Sequence, residues 1–281
     1  MKLRIGRVSY LNCLPVYYPL EKKANDRIQL FSGPPAELNR LFLKRELDVT
    51  PISSIEYARN HQNLLILPNL SIAANGPVLS VMFFYRKEFS GRLGELKKVG
   101  VTVESATSVV LLKIILKKLF GAWPEYVPMN LNIEFSQTTD LDGALLIGDK
   151  ALSGYYHTPP DLGVLDLGEA FKTLTGHPMV YAVWAVHRET CAKEPLKIKK
   201  LSELFQKAKA FSLSHWEEMV AYGSQKYPFT PKEIDEYLKI ISHELSESEI
   251  AGLLEFYRLA SEINEAPKEV IVNIWREEDW R

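Results

Sequence analysis

Lys97-Lys98-Val99-Gly100-Val101-Thr102-Val103-Glu104-Ser105-Ala106-Thr107-Ser108-Val109-Val110 decides the fold class. Lys97 to Val103 has the length and apolar content of a strand, and Val109 to Phe120 reads as a strongly apolar helix closed by Lys117-Lys118 and Gly121. Between them lies a polar seam, Glu104 to Ser108, with more capping hydroxyls than one helix end needs. A strand that passes through such a seam into a helix is the first part of a βα unit. In an open α/β sheet those seams lie at the carboxyl ends of the strands. Free backbone N–H groups and positive helix ends converge there on the cleft where ligands bind.

Working outward, the same arrangement recurs three times. Leu3 to Val8 alternates as a strand, and Ser9 to Asn12 leads into a helix from Tyr10 to Leu20 with Pro15 in its first turn. Leu47 to Ile52 reads as a short strand before Ser53-Ser54, where Ser53 and Glu56 make a capping-box pattern. Gly143 to Ile147 is a strand that ends at Gly148-Asp149. One such seam is an ordinary helix cap; four suit a small anion with more than one carboxylate.

Two long apolar runs, Val78 to Tyr85 and Met179 to Val186, bracket the middle of the chain. If both cross between lobes, residues 87–184 form an inserted α/β lobe, and residues 1–86 with 185–281 form the other, closing on a ligand about a two-segment hinge. From Leu196 onward the texture is helical, with capping boxes at Thr230 to Glu233 and Ser246 to Glu249 that predict helix starts near residues 231 and 247.

With 281 residues, two lobes of ordinary size fit. The balance of 34 basic and 35 acidic residues leaves a net charge of −1, which gives no global field for nucleic acid or an anionic membrane. Cys13 and Cys191 are the only cysteines, too few and too far apart for a disulfide framework or a zinc cluster. The first seven residues interleave charge with apolar groups, unlike a signal peptide, and no stretch approaches the ~20 apolar residues of a membrane span. The expectation is a soluble cytoplasmic protein that binds a small molecule.

Among single residues, Asn12 can donate its amide to a ligand oxygen or brace the turn before Pro15. Ser80, inside the apolar run from Val78 to Phe84, must find a partner for its hydroxyl or face a polar cleft. Asp149 suits a base or a helix cap equally. The six histidines have no metal-ligand spacing, and no phosphate loop or dinucleotide fingerprint is present.

Val8-Ser9-Tyr10-Leu11-Asn12-Cys13-Leu14-Pro15, Pro35-Ala36-Glu37-Leu38-Asn39, Leu47 to Tyr57, Gly76-Pro77-Val78-Leu79-Ser80-Val81, Glu104 to Ser108, Leu145 to Asp149 and Tyr181 to Ala185 together resemble the MqnA family, the chorismate dehydratases of the futalosine route to menaquinone. The resemblance runs in order from about residue 3 to 188, with Cys13 where a small residue such as alanine is expected. It implies a two-lobed type II periplasmic-binding-protein-like fold with the ligand in the cleft between the lobes. It also implies elimination of water from chorismate, a dicarboxylate, to give 3-[(1-carboxyvinyl)oxy]benzoate without a metal or redox cofactor.

The resemblance further implies that Ser80 and Asn12 act at the reacting centre, through a carbanion, with the base open between a substrate carboxylate and a bound water. By analogy with the fold, Ser53-Ser54 and Thr107-Ser108 hold the two carboxylates from opposite lobes, and Ser9, Ser105, Gly148 and Asp149 line the same cleft. Two other readings belong to different classes. One is a cytoplasmic or exported solute-binding protein for a small carboxylate. The other is the sister enzyme forming 1,4-dihydroxy-6-naphthoate, which calls for a histidine base that none of the four seams offers.

Overall fold

The computed structural model describes residues 2–22, 28–130, 132–138 and 140–280. The first lobe begins β1 (Leu3–Val8), α1 (Leu14–Lys22), β2 (Ile28–Gly33), α2 (Pro35–Leu43), β3 (Thr50–Ser53), α3 (Ser54–Asn60) and β4 (Leu64–Ala74). The second lobe follows with β5 (Val81–Arg86), β6 (Lys98–Thr102), α4 (Ala106–Phe120), β7 (Glu125–Met129), α5 (Phe135–Thr138), β8 (Gly143–Ile147), α6 (Gly148–Tyr156), β9 (Leu162–Asp166) and α7 (Leu167–Thr175). The chain then returns through β10 (Met179–His187) to α8 (Arg188–Lys193), α9 (Pro195–Ser214), α10 (Trp216–Lys226), α11 (Pro231–Ile240) and α12 (Glu247–Glu262). The last two helices start where their capping boxes predict, with both reciprocal bonds formed.

The two lobes have the same sheet order. In the second it is β7-β6-β8-β5-β9, with β6 parallel to β7 and β8, and β5 antiparallel to β8 and β9. In the first, β1 pairs with β2 in parallel, and β10 runs antiparallel between β3 and β4. Hydrogen bonds from Gly6 N to Val49 O and from Asp48 N to Arg4 O join the two halves of that sheet, giving β2-β1-β3-β10-β4. The match pairs β1 with β6 and β3 with β8. The four polar seams are therefore two pairs, Ser9 to Asn12 with Ser105 to Ser108, and Ser53-Ser54 with Gly148-Asp149.

The expected lobe boundaries shift. Each long apolar run belongs to a single sheet, because β5 pairs only with second-lobe strands and β10 only with β3 and β4. The chain crosses at residues 75–80, which include the start of the first run, and at residues 176–178, before the second, so Val81 to Arg86 belongs to the second lobe and Met179 to Trp184 to the first. Strands β2, β7 and β9 lie at sheet edges and are half exposed, which leaves them no continuous apolar run to read.

The first crossing is tightly built. Leu79 has a left-handed φ of 56°, and Ser80 N donates to Val78 O at 2.6 Å, closing a three-residue turn that L side chains rarely adopt. Asp166, at the end of β9, holds it in place. Its Oδ2 accepts from Val78 N at 2.9 Å and Leu79 N at 2.8 Å, while its Oδ1 caps α7 through Gly168 N at 2.8 Å and Glu169 N at 3.1 Å. Asp166→Ala strips an acceptor from four N–H groups. The expected loss of stability is about 2–4 kcal/mol, seen as a lower urea midpoint; an unchanged midpoint means that the turn is held by other contacts.

Candidate active site

The cavity lies between the lobes and draws its wall from both, with Val8, Ile72, Val78 and Ile147 as apolar panels. Tyr10, Asn12, Ser53, Ser80, Ser105, Ser108 and Tyr181 are among its polar side chains. It encloses about 60 Å³, or about 550 Å³ when every gap between wall atoms and the open mouth are counted. Since a dry cavity of about 150 Å³ takes a bare benzene ring, a ring with two carboxylates needs the lobes to part. Closure is held by bonds across the cleft. Tyr10 Oη donates to Glu104, Leu11 N to Asp149 Oδ1 at 3.0 Å, Ala36 N to Glu104 O at 3.1 Å, and Ile55 N to Thr107 Oγ1 at 3.1 Å.

The expected site residues divide accordingly. Asn12, Ser53, Ser80, Ser105, Ser108 and Gly148 are on the wall. Ser9, Ser54, Thr107 and Asp149 are not, and each has another place. Ser9 is exposed and its N–H donates to Gly33 O. Ser54 is fully buried and donates to Val180 O at 2.7 Å, fastening α3 to β10. Thr107 and Asp149 accept the interlobe bonds just described, so they belong to the latch rather than to the grip.

Local structure explains the wall. Ser105 Oγ caps α4 by accepting from Ser108 N at 3.3 Å and lies 3.0 Å from Ser108 Oγ, which turns two hydroxyls and the positive end of a fifteen-residue helix toward the cavity. Ser53 Oγ accepts from Asn39 Nδ2 at 3.1 Å, leaving its own proton to give. Gly148 has a φ of 58°, and a Cβ there would fall 2.7 Å from the Tyr10 ring, so this position needs glycine twice over.

Four residues around the cavity were not legible in the sequence. Tyr181 is on the wall with its hydroxyl buried and unpartnered. Tyr237, from α11, lies 2.8 Å from Ser80 Oγ. His243 bonds Asn12 O through Nε2 at 2.7 Å, and burial pushes its pKa down to about 4, so the neutral ring donates. Asp166 holds the turn that presents Ser80. Only Tyr181 lies within a stretch that the family resemblance covers with a quoted motif; the seams gave no signal for any of them.

Among the described residues, no wall side chain carries a formal charge. Arg7 is the nearest buried cation, with Nη1 3.3 Å from the carbonyl of the wall residue Val8. It is already engaged by Glu21 and by Tyr227 Oη at 2.8 Å. An anion here meets hydroxyls, an amide and a helix end, and burial makes each of these stronger than it would be in water.

A family model described as "Menaquinone biosynthesis" matches residues 3–262. The chain is 31% identical to the chorismate dehydratase of Thermus thermophilus over 266 residues, covering 90% of this chain and 93% of that protein. It is 28% identical to the chorismate dehydratase of Campylobacter jejuni over 270 residues, covering 92% and 98%. Among solved structures, the Candida albicans CA3427 gene product, which has the generic periplasmic-binding-protein fold, superposes with a TM-score of 0.71 at 12% identity, covering 98% of both chains. The architecture is thus the two-lobed periplasmic-binding-protein-like fold.

Asp149 gives the site a pH signature. Burial raises its pKa from 3.8 to about 6, against the opposing pull of the Leu11 N–H and Arg7. The folded state therefore binds this proton more tightly than the unfolded chain. Its stabilising effect is complete below about pH 4 and is lost as pH rises through 6. Asp149→Asn keeps an acceptor for Leu11 and buries no charge. Relative to wild type it is expected to gain up to about 3 kcal/mol between pH 4 and pH 8. Melting curves at both ends of that range decide the point; a difference between the two proteins that does not change with pH removes Asp149 from the titration.

Proposed function

The chain belongs to the menaquinone biosynthesis family, and from that premise we propose that it is a chorismate dehydratase, a lyase that removes water from chorismate to give 3-[(1-carboxyvinyl)oxy]benzoate. The observation that carries the proposal is the nearly full-length relationship to two chorismate dehydratases. The wall's chemistry is consistent with it: hydroxyl groups from both lobes and an amide from the first, with no charged side chain, suit a small ring with two carboxylates once the lobes part to admit it.

The chemistry asks little of the protein. Chorismate loses a ring proton and the neighbouring hydroxyl, and the ring becomes aromatic, so the driving force is in the substrate. The protein has to orient the ring, stabilise charge that spreads into the ring carboxylate as the proton leaves, and assist the departing hydroxide. We assign Ser53 from the first lobe and Ser105 with Ser108 from the second to the carboxylates. Ser80 and Asn12 are assigned to the reacting centre, where the crossing turn meets the first seam. Among the described residues Asn12 Oδ1 is buried without a partner, an acceptor held ready for a substrate hydroxyl or a water.

Purified protein incubated with chorismate is expected to form the aromatic product. Ser80→Ala is expected to lower kcat at least about tenfold while Kd for chorismate, measured by calorimetry, changes by less than about threefold. Tight binding of chorismate without any conversion by the wild type makes the protein a binding protein instead, and a fully active Ser80→Ala variant takes Ser80 out of the chemistry.

A further inference from the structure

Ser80 Oγ has a partner that comes from none of the elements lining the cleft. Tyr237 lies in the middle of α11, fully buried, and its hydroxyl is 2.8 Å from Ser80 Oγ. A buried phenol needs an acceptor for its proton. Ser80 Oγ is that acceptor, and among the described residues Asn12 Oδ1 accepts nothing. The direction follows: Tyr237 Oη–H donates to Ser80 Oγ. Two groups stay uncommitted, the Ser80 proton and Asn12 Oδ1, both on wall residues.

We infer that Tyr237 is a positioning residue for the elimination: by donating to Ser80 Oγ it turns the serine's own proton into the cavity, toward the departing hydroxyl oxygen, so that Ser80 acts as a hydrogen-bond donor and not as the base. In that step the C–H electron pair becomes the new ring π bond, and the C–O pair leaves on the oxygen that Ser80 contacts. The ring proton goes to a different acceptor, and the net loss is one water. Burial holds the Tyr237 pKa far above the usual tyrosine range, so the donor is present at every working pH. The bond that Ser80 Oγ accepts from Tyr237 also polarises the serine O–H, which makes Ser80 a stronger donor than an isolated serine. The helix is fixed ahead of the tyrosine, by the Thr230–Glu233 capping box and by Trp216 Nε1 donating to Asp235 Oδ1 at 2.7 Å.

This inference rests on the dehydratase reading, and the test separates the two. Steady-state kinetics with chorismate are measured for the wild type, Tyr237→Phe, Ser80→Ala and the double variant. Tyr237→Phe is expected to lower kcat about tenfold with KM within about threefold, as for one lost hydrogen bond in the transition state. In the double variant the tyrosine change is expected to add nothing to the loss from Ser80→Ala. Wild-type kcat in Tyr237→Phe, a loss confined to KM, or losses that multiply in the double variant overturn the inference while leaving the reading intact. A wild type that binds chorismate without turning it over ends both. If Tyr237→Phe does not fold, 3,5-difluorotyrosine at position 237 keeps the ring and sharpens the donor. A higher kcat then supports the inference, and an unchanged or lower kcat overturns it.

Discussion

One carboxylate, that of Asp166, fixes the first crossing between the two lobes. It accepts four backbone N–H groups, two from the chain crossing and two from the start of α7. Burial raises its pKa, and the four donors pull in the opposite direction, so the group is costly to bury and well repaid only while all four bonds are made. The turn it anchors contains the left-handed Leu79, a conformation that costs on the order of 1 kcal/mol and persists only when its surroundings over-determine it. Ser80 follows directly, and its direction into the cavity depends on that turn.

The sheet match between lobes gives the rest of the site its logic. Each lobe brings one seam after its second-position strand and one after its central strand, and the two pairs face each other across the cavity. The pairs do not divide the work evenly. Asn12, Ser53, Ser105 and Ser108 reach the wall, whereas Asp149, Thr107 and Glu104 are used to hold the lobes together. With Arg7 bound to Glu21 below the wall, no mobile cation has to be ordered when an anion arrives.

Much of this was legible in the sequence because it is local. A strand running into a capped helix is visible in a dozen residues, and the capping boxes of α11 and α12 lie where the pattern put them. What was not legible depends on chain returning from far away. Tyr237 is 157 residues from Ser80, and nothing in Glu236-Tyr237-Leu238 distinguishes a core tyrosine from one that serves a cleft. The lobe boundary was misplaced for a similar reason: an apolar run shows that a strand is buried but not in which sheet. A hydroxyl at a seam reads the same in sequence whether it faces a cavity, a strand of its own lobe as Ser54 does, or the opposite lobe as Thr107 does.

The position of β10 has a consequence for biosynthesis. It fills the gap between β3 and β4, yet it is made only after the whole second lobe. While the chain emerges from the ribosome, residues 81–175 can complete their own sheet, but the first lobe waits with two inner strand edges unpaired until residues 179–187 arrive. The part of the chain that is translated first is therefore the part that matures last. For that interval its open edges are the segment most in need of a chaperone.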